Sequence, residues 1–450
     1  MRKYNLLSIL LIIVHLPLMA LQSSSDYSVI VDGVAVPVNE CKVDMHNVQK
    51  ASWCEWDWTA PAMVRVVTHI STTNAGVIVR PKSKGIIPEI LNDSTIQFKI
   101  SQPAFLSVEF GGDRKHNLHI FANPMLSETY NPQEHRKAIM WDSGSGNNHD
   151  VFVKGAHVIY FGKGEHKAKD LVMDEQDKGV FRIPSNTTVY IASGAVLKGK
   201  ILIDHAKNVR IIGHGVLDHP SRGIEITYSK NVLIDGLTIL NPSHYTVYGG
   251  QSENIDIRNI KSFSCMGWSD GIDLMCCRNV TINNVFLRNS DDCIALYNHR
   301  WWFWGGTKNI EISNAVLWAD VAHPVHIGIH GDDRSPKGET LRKVHVRDCD
   351  ILNEDGDGVL AIRCGDNNVV KDIRFENIMV EAVEKGRMYN IQVVYNQKYN
   401  RAPGRSISDI WFRNISFSGD TSALLPDIIQ DYDSLHRVTN IHFENSYRKP

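Results

Sequence analysis

The segment "NVRIIGHGVLD" at 208 recurs in outline down the second half of the chain, and this repeat limits the fold more than any other feature. Related segments begin at 231, 254, 279, 309, 343, 372, 409 and 440, with spacings of 23, 23, 25, 30, 34, 29, 37 and 31 residues. Each has two short β-branched strands hinged by Asn, Asp or Gly. Repeats of this length signal a stacked architecture, in which no single unit can bury its apolar face alone. Helical or leucine-rich repeats would need apolar residues at helical spacing, and none is visible. The expectation is all-β: a right-handed parallel β-helix over residues 156–450.

Residues 27–155 have a different texture. Alternating runs such as "MVRVVTHI", "TIQFKI", "FLSVEF" and "NLHIFANP" predict a small N-terminal β-sandwich. The stretch "MWDSGSGNNHD" at 140–150 reads as a linker. At the start, Arg2 and Lys3 precede an apolar run from Leu6 to Leu18, the pattern of a signal peptide spanning 1–20 with cleavage near Ala20. That run falls short of the roughly 20 residues a membrane span needs, and no later segment is long enough. A secreted or periplasmic monomer is expected. A net charge of −2 argues against a nucleic-acid partner. An exported protein could pair Cys41 with Cys54. The other six cysteines lie in or beside strand-like runs and read as buried thiols. Sequons stand at Asn92, Asn186, Asn279 and Asn414.

Aligning the strand that precedes each repeat places Ile224, Thr246, Ile272, Ile294, Val325, Val359 and Ile391 in one column. Two residues before each lie Arg222, His244, Asp270, Asp292, His323, Asp357 and Tyr389. Neighbouring rungs of a parallel sheet are about 4.8 Å apart, so Asp270, Asp292 and His323 should stack on consecutive rungs. Asp291 adjoins this column and is expected to point elsewhere. Clustered carboxylates raise the pKa of at least one member, which can then act as a general acid while an ionised one activates water. Glycoside hydrolysis uses this division of labour. A calcium site or a structural Asp ladder is the competing reading.

The motifs "SDGID", "SDDCIAL" and "AHPVHIGIHG" make the chain resemble glycoside hydrolase family 28, the polygalacturonases. The pattern there runs Asn-Thr-Asp, Asp-Asp, Gly-His-Gly and Arg-Ile-Lys. The resemblance implies an inverting hydrolase of a polysaccharide with no metal or cofactor, its site on a β-helix. Asp291 would be the general acid, Asp270 and Asp292 would share the attacking water, and His323 would tune the acid. Trp268-Ser269 replaces Asn-Thr, and Ala322-His323-Pro324 replaces Gly-His-Gly. In "AIRCGDNN", Arg363 fits but Gly365 stands where Lys would be. A looser similarity extends to the dextranase and isopullulanase family, whose members act on neutral glucans. A β-helix polysaccharide lyase and a non-enzymatic adhesin are the remaining alternatives.

Between the second and third motifs lies "NHRWWFWGGTK" at 298–308. Aromatic faces stack on sugars, which makes Trp301 and Trp304 candidate substrate contacts. Tyr248, His244, His326 and Arg363 are candidates on position. His330 with Asp332 and Asp333 reads as a polar turn.

Overall fold

Asparagine sets the pitch of this molecule. In the computed structural model, Asn208, Asn231, Asn254, Asn279 and Asn309 open successive repeats with φ of 57°, 59°, 57°, 54° and 57°. Asn tolerates this left-handed turn conformation better than most residues. Each side-chain amide then donates to the Asn one coil earlier, at 2.9, 2.9, 3.0, 3.1 and 2.8 Å. The ladder satisfies the turn and locks each coil onto the last. The structure describes residues 21–70, 76–126, 128, 138–140, 157–167, 179–335 and 337–450. The expected signal segment, most of the 140–150 linker and the boundary at 155 lie outside the described residues.

One coil is typified by Ile224–Thr227, Lys230–Asp235 and Thr238–Leu240. The first strand joins a ten-stranded parallel sheet. The other two join a nineteen-stranded sheet that bends to form the remaining walls. Isoleucine, valine and leucine point inward from every wall into one continuous core, including Ile226, Ile234, Ile239, Ile282 and Ile327. The described residues contain no helix beyond two short 3-10 turns. The fold is thus all-β and a parallel β-helix, as expected from the repeat.

Before it come two five-stranded sheets. One runs Val34–Val36, Tyr27–Val31, Ala62–Thr68, Thr95–Ile100 and Glu89–Asn92 in spatial order. The other runs Asn39–Val43, Gln49–Asp57, Leu118–Asn123, Ala104–Phe110 and Val77–Arg80. Pairing is antiparallel except between Gln49–Asp57 and Leu118–Asn123. Val29, Val64, Ile96, Leu106 and Ile120 fill the space between them.

Cys41 and Cys54, which could have paired, are both free thiols. They face different cores. Cys54 packs inside the sandwich, whereas Cys41 packs on its outer side against the β-helix. That outer side is an apolar seam in which Trp53, Phe105 and Phe121 meet Phe263, Phe286 and Trp318.

Arg288, fully buried, crosses the seam. It pairs with Asp320 at 3.0 Å and donates to Asn117, His119 and the carbonyl of Arg114. Burial, then the nearby Arg288 charge, holds the His119 pKa well below its ordinary value, so its ring accepts as a neutral imidazole. Breaking a buried pair by removing one partner is costly. Arg288→Ala should therefore destabilise the protein by about 3–5 kcal/mol, read from the urea unfolding midpoint. A loss below about 1 kcal/mol would show that the seam does not depend on this charge.

Candidate active site

Rung stacking on the ten-stranded sheet assembles the site. Ile272 pairs with Ile294, and Ile294 with Val325, which puts Asp270, Asp292 and His323 at the same position on three consecutive rungs. Gly271 N donates to the Asp292 carbonyl, and Cys293 N to that of His323, both at 2.8 Å. Gly271 is needed here, because a Cβ would lie 2.3 Å from the Cys293 carbonyl oxygen. The alignment differs from expectation elsewhere. Val247, Leu360 and Tyr389 occupy the column, not Thr246, Val359 and Ile391. Irregular turn lengths shift the register by one or two residues, so Tyr245 stands where His244 was expected.

Asp291 does not point away. Carboxylate oxygens of Asp270, Asp291 and Asp292 all lie within 4.8 Å of one another. Its Oδ2 accepts from Trp268 N at 3.2 Å and its Oδ1 from Asp292 N at 3.1 Å, and these main-chain bonds turn the side chain back over the column. Asp292 is held on both oxygens: Oδ1 accepts from His323 N at 3.0 Å, and Oδ2 bonds His326 Nδ1 at 2.7 Å. The imidazole bonded to an acid is therefore His326. His323 instead bonds the Gly358 carbonyl through Nδ1 at 2.9 Å.

These surroundings drive the acids apart. Burial and then the Asp292 charge push Asp291 up to about 6. Burial would also raise Asp292, but the charge and hydrogen bond of His326, together with His323, bring it down to about 2. Asp270 is raised well above the usual range by burial and by the charges of Asp273, Asp291 and Asp292. Its Oδ1 is buried with no hydrogen-bond partner. Burial lowers His323 to about 4 and holds His330 well below the ordinary histidine value.

A cavity of about 140 Å³ opens over these groups. Its lining includes Asp270, Asp291, Asp292, His323, His326 and Arg363. Two guanidinium groups enter it. The Arg363 Nε is buried without a partner. Arg300, from the aromatic insertion, lies 4.0 Å from the buried Asp273 carboxylate, and 5.0 Å and 5.4 Å from the ring centres of Tyr297 and Tyr245. A larger groove along Asn377, Asn414 and Asn445 shares no lining residue with this cavity. Converging titratable groups with separated pKa values single out the smaller one.

Four of the expected contacts are not in its lining. Tyr248 is buried and donates to Glu225 at 2.9 Å. His244 packs edge-on against Tyr245 at 4.2 Å. Trp304 is sandwiched between His299 and Arg334, with centres at 3.5 and 3.6 Å. Trp301 stacks on Tyr245 at 5.8 Å. Residues missed from the sequence are Tyr245, Trp268, Tyr297, Arg300, Ile329 and Tyr399. Arg300 carried a signal as the cation beside the tryptophans, and Trp268 as the residue standing in the first acid motif. Donor atoms of Asp292, His323 and His326 also lie within 4.8 Å of one another. Among these, Asp292 Oδ2 and His326 Nδ1 already bond each other.

An acid whose folded pKa is raised lends stability below its unfolded pKa, and that stability is lost as pH rises through the folded value. Asp270→Asn should therefore raise the melting temperature at pH 7. The gain should shrink toward pH 4. Equal melting curves for variant and wild type at both pH values would contradict the crowding of these charges.

The model of glycosyl hydrolases family 28 matches residues 178–431. An exopolygalacturonase from Arabidopsis thaliana is 27% identical over 203 residues, covering 44% of this chain and 44% of that protein. Isopullulanase from Aspergillus niger is 24% identical over 333 residues, 62% of this chain and 54% of that protein. The chain spans about half the length of the curated relatives it matches. Among solved structures, Dex49A from Penicillium minioluteum aligns with 94% of both chains at a TM-score of 0.55 and 15% identity, a likeness of fold.

Proposed function

This chain belongs to glycosyl hydrolases family 28, and on that footing we propose that it is an exported, polygalacturonase-like hydrolase cleaving an acidic polysaccharide with inversion at the anomeric carbon. The reading rests on one observation: three carboxylates converge within 4.8 Å, with Asp291 near 6 and Asp292 near 2. Acid and base assignments follow from such separation.

Asp291 carries a proton at mildly acidic pH and delivers it to the glycosidic oxygen. Asp292 stays ionised and takes a proton from water as the water attacks the anomeric carbon. Both Asp292 oxygens already accept hydrogen bonds, which fix the orientation of the carboxylate. Asp270, raised well above the usual carboxylate range by burial and the neighbouring acids, offers its unpartnered oxygen to the same water. Separations of 4.8 Å or less are shorter than the roughly 6.5–9.5 Å usual between carboxyl groups of inverting enzymes. Water held jointly by Asp270 and Asp292 reconciles the short spacing with inversion. Arg363 favours an acidic sugar, because its buried Nε has no partner and buried guanidinium donors are costly when left unpaired, and Arg300 adds a second positive charge to the same cavity.

Incubation with a panel of glycans should yield reducing ends from a uronate polymer, with no ultraviolet absorbance of an unsaturated product and no effect of chelator. Absorbance that chelator abolishes would establish a lyase instead. On the responding substrate, Asp291→Asn should lower kcat about 10²–10⁴-fold while the melting curve shows an intact fold. Activity should decline as pH rises through about 6, where Asp291 loses its proton, and again toward about 2, where Asp292 gains one. Proton NMR of the first product should show the opposite anomeric configuration to the substrate. Retained configuration would rule out the direct attack of water.

A further inference from the structure

The outer face of a β-helix sheet is naturally an open groove, able to admit the middle of a polymer. Here two aromatic pairs bridge it. Tyr245 leads into the strand Val247–Gly250, and Trp301 follows the strand Ile294–Tyr297, so they rise from opposite rims. Their rings stack at 5.8 Å and 24°. Arg300 adds to this bridge, 5.4 Å from the Tyr245 ring centre and 5.1 Å from that of Trp301.

The second bridge joins Trp268, which precedes the strand Ile272–Met275, to Tyr399, which follows Tyr389–Val393. These rings meet edge to face at 6.5 Å and 86°. Lys398 Nζ lies over both, 5.1 Å from Trp268 and 4.8 Å from Tyr399. The loop that carries Tyr399 is tied back, since Asn400 Nδ2 donates to the Ile329 carbonyl and to Asp366 Oδ2. Tyr245, Trp268, Tyr399 and Arg300 all line the cavity that holds the acids. At about 140 Å³, it falls below the roughly 300–1,000 Å³ of ordinary ligand pockets.

We infer that the enzyme is exo-acting, and that this pocket takes the terminal sugar of a chain and releases it as a monosaccharide. The inference deepens the hydrolase reading above and rests on it. Each turnover adds one water across the terminal glycosidic bond: hydroxide goes to the anomeric carbon and a proton to the departing oxygen. A chain interior would have to cross the Tyr245–Trp301 and Trp268–Tyr399 contacts, whereas a chain end need not.

The experiment uses unesterified galacturonan, both as polymer and as oligomers of defined length, with product sizes and viscosity followed together. Monosaccharide as the sole early product, with reducing ends accumulating while viscosity persists, is the expected result. Early dimers and trimers with a rapid fall in viscosity would overturn exo action and leave the hydrolase reading standing. No reducing ends from any glycan of the panel would overturn both.

Tyr399→Ala and Trp301→Ala should each remove one bridge and let longer products appear. Melting curves serve as the control for folding. If both variants fold normally and still release only monosaccharide, the bridges do not set the mode of cleavage and the inference fails.

Discussion

The rest of the site depends on the hydrogen bonding that holds each rung of the ten-stranded sheet about 4.8 Å above the last. Backbone bonds such as Gly271 N to the Asp292 carbonyl fix that distance whatever the side chains are. Two acids at equivalent positions on adjacent rungs must then be neighbours, and no loop rearrangement can relieve them. Burial and their mutual repulsion raise Asp270, while His326 and His323 bring Asp292 down, and the pKa values move apart. The Asn ladder on another corner maintains the register, so a structural repeat far from the chemistry keeps the chemistry in place.

Stability and reactivity are arranged on different faces of the same coil. Inward-facing isoleucine and valine form one core along the axis. The outward-facing positions of the ten-stranded sheet carry Asp273, His326 and Arg363, groups that an ordinary strand would not tolerate. The N-terminal sandwich packs on a different wall, through Trp53, Phe105 and Phe121. Arg288 belongs to the rung that leads into the acid pair, and it is anchored by groups on both sides of the seam. Docking of the sandwich therefore steadies the backbone a few residues from Asp291 and Asp292.

Much of this was legible in the residues. The repeat period gave the β-helix, and the duplicated "SDGID" and "SDDCIAL" gave the stacked acids, because a two-residue alternation and a fixed rung height leave few alternatives. Positions farther along the column were harder. Tyr245 was displaced from its alignment by a single residue, since turn length between coils varies and strand patterns do not record it. The partner of Asp292 was also hidden. His323 stands just before the strand Val325–Gly328 and His326 lies on it, and only the side-chain directions decide that His326 reaches the carboxylate.

By itself the sequence determined the class of fold, the stacking of Asp270, Asp292 and His323, and the presence of an aromatic insertion near them. These depend on local period and on rung geometry, both written into neighbouring residues. Tertiary structure alone decided that Asp291 turns back to meet the other two acids, that Arg300 enters the cavity, and that Cys41 and Cys54 face separate cores. It also decided that Tyr399 reaches Trp268 from far along the chain. Contacts of that kind depend on how loops of unequal length fold over the sheet, and no periodicity in the chain encodes where they land.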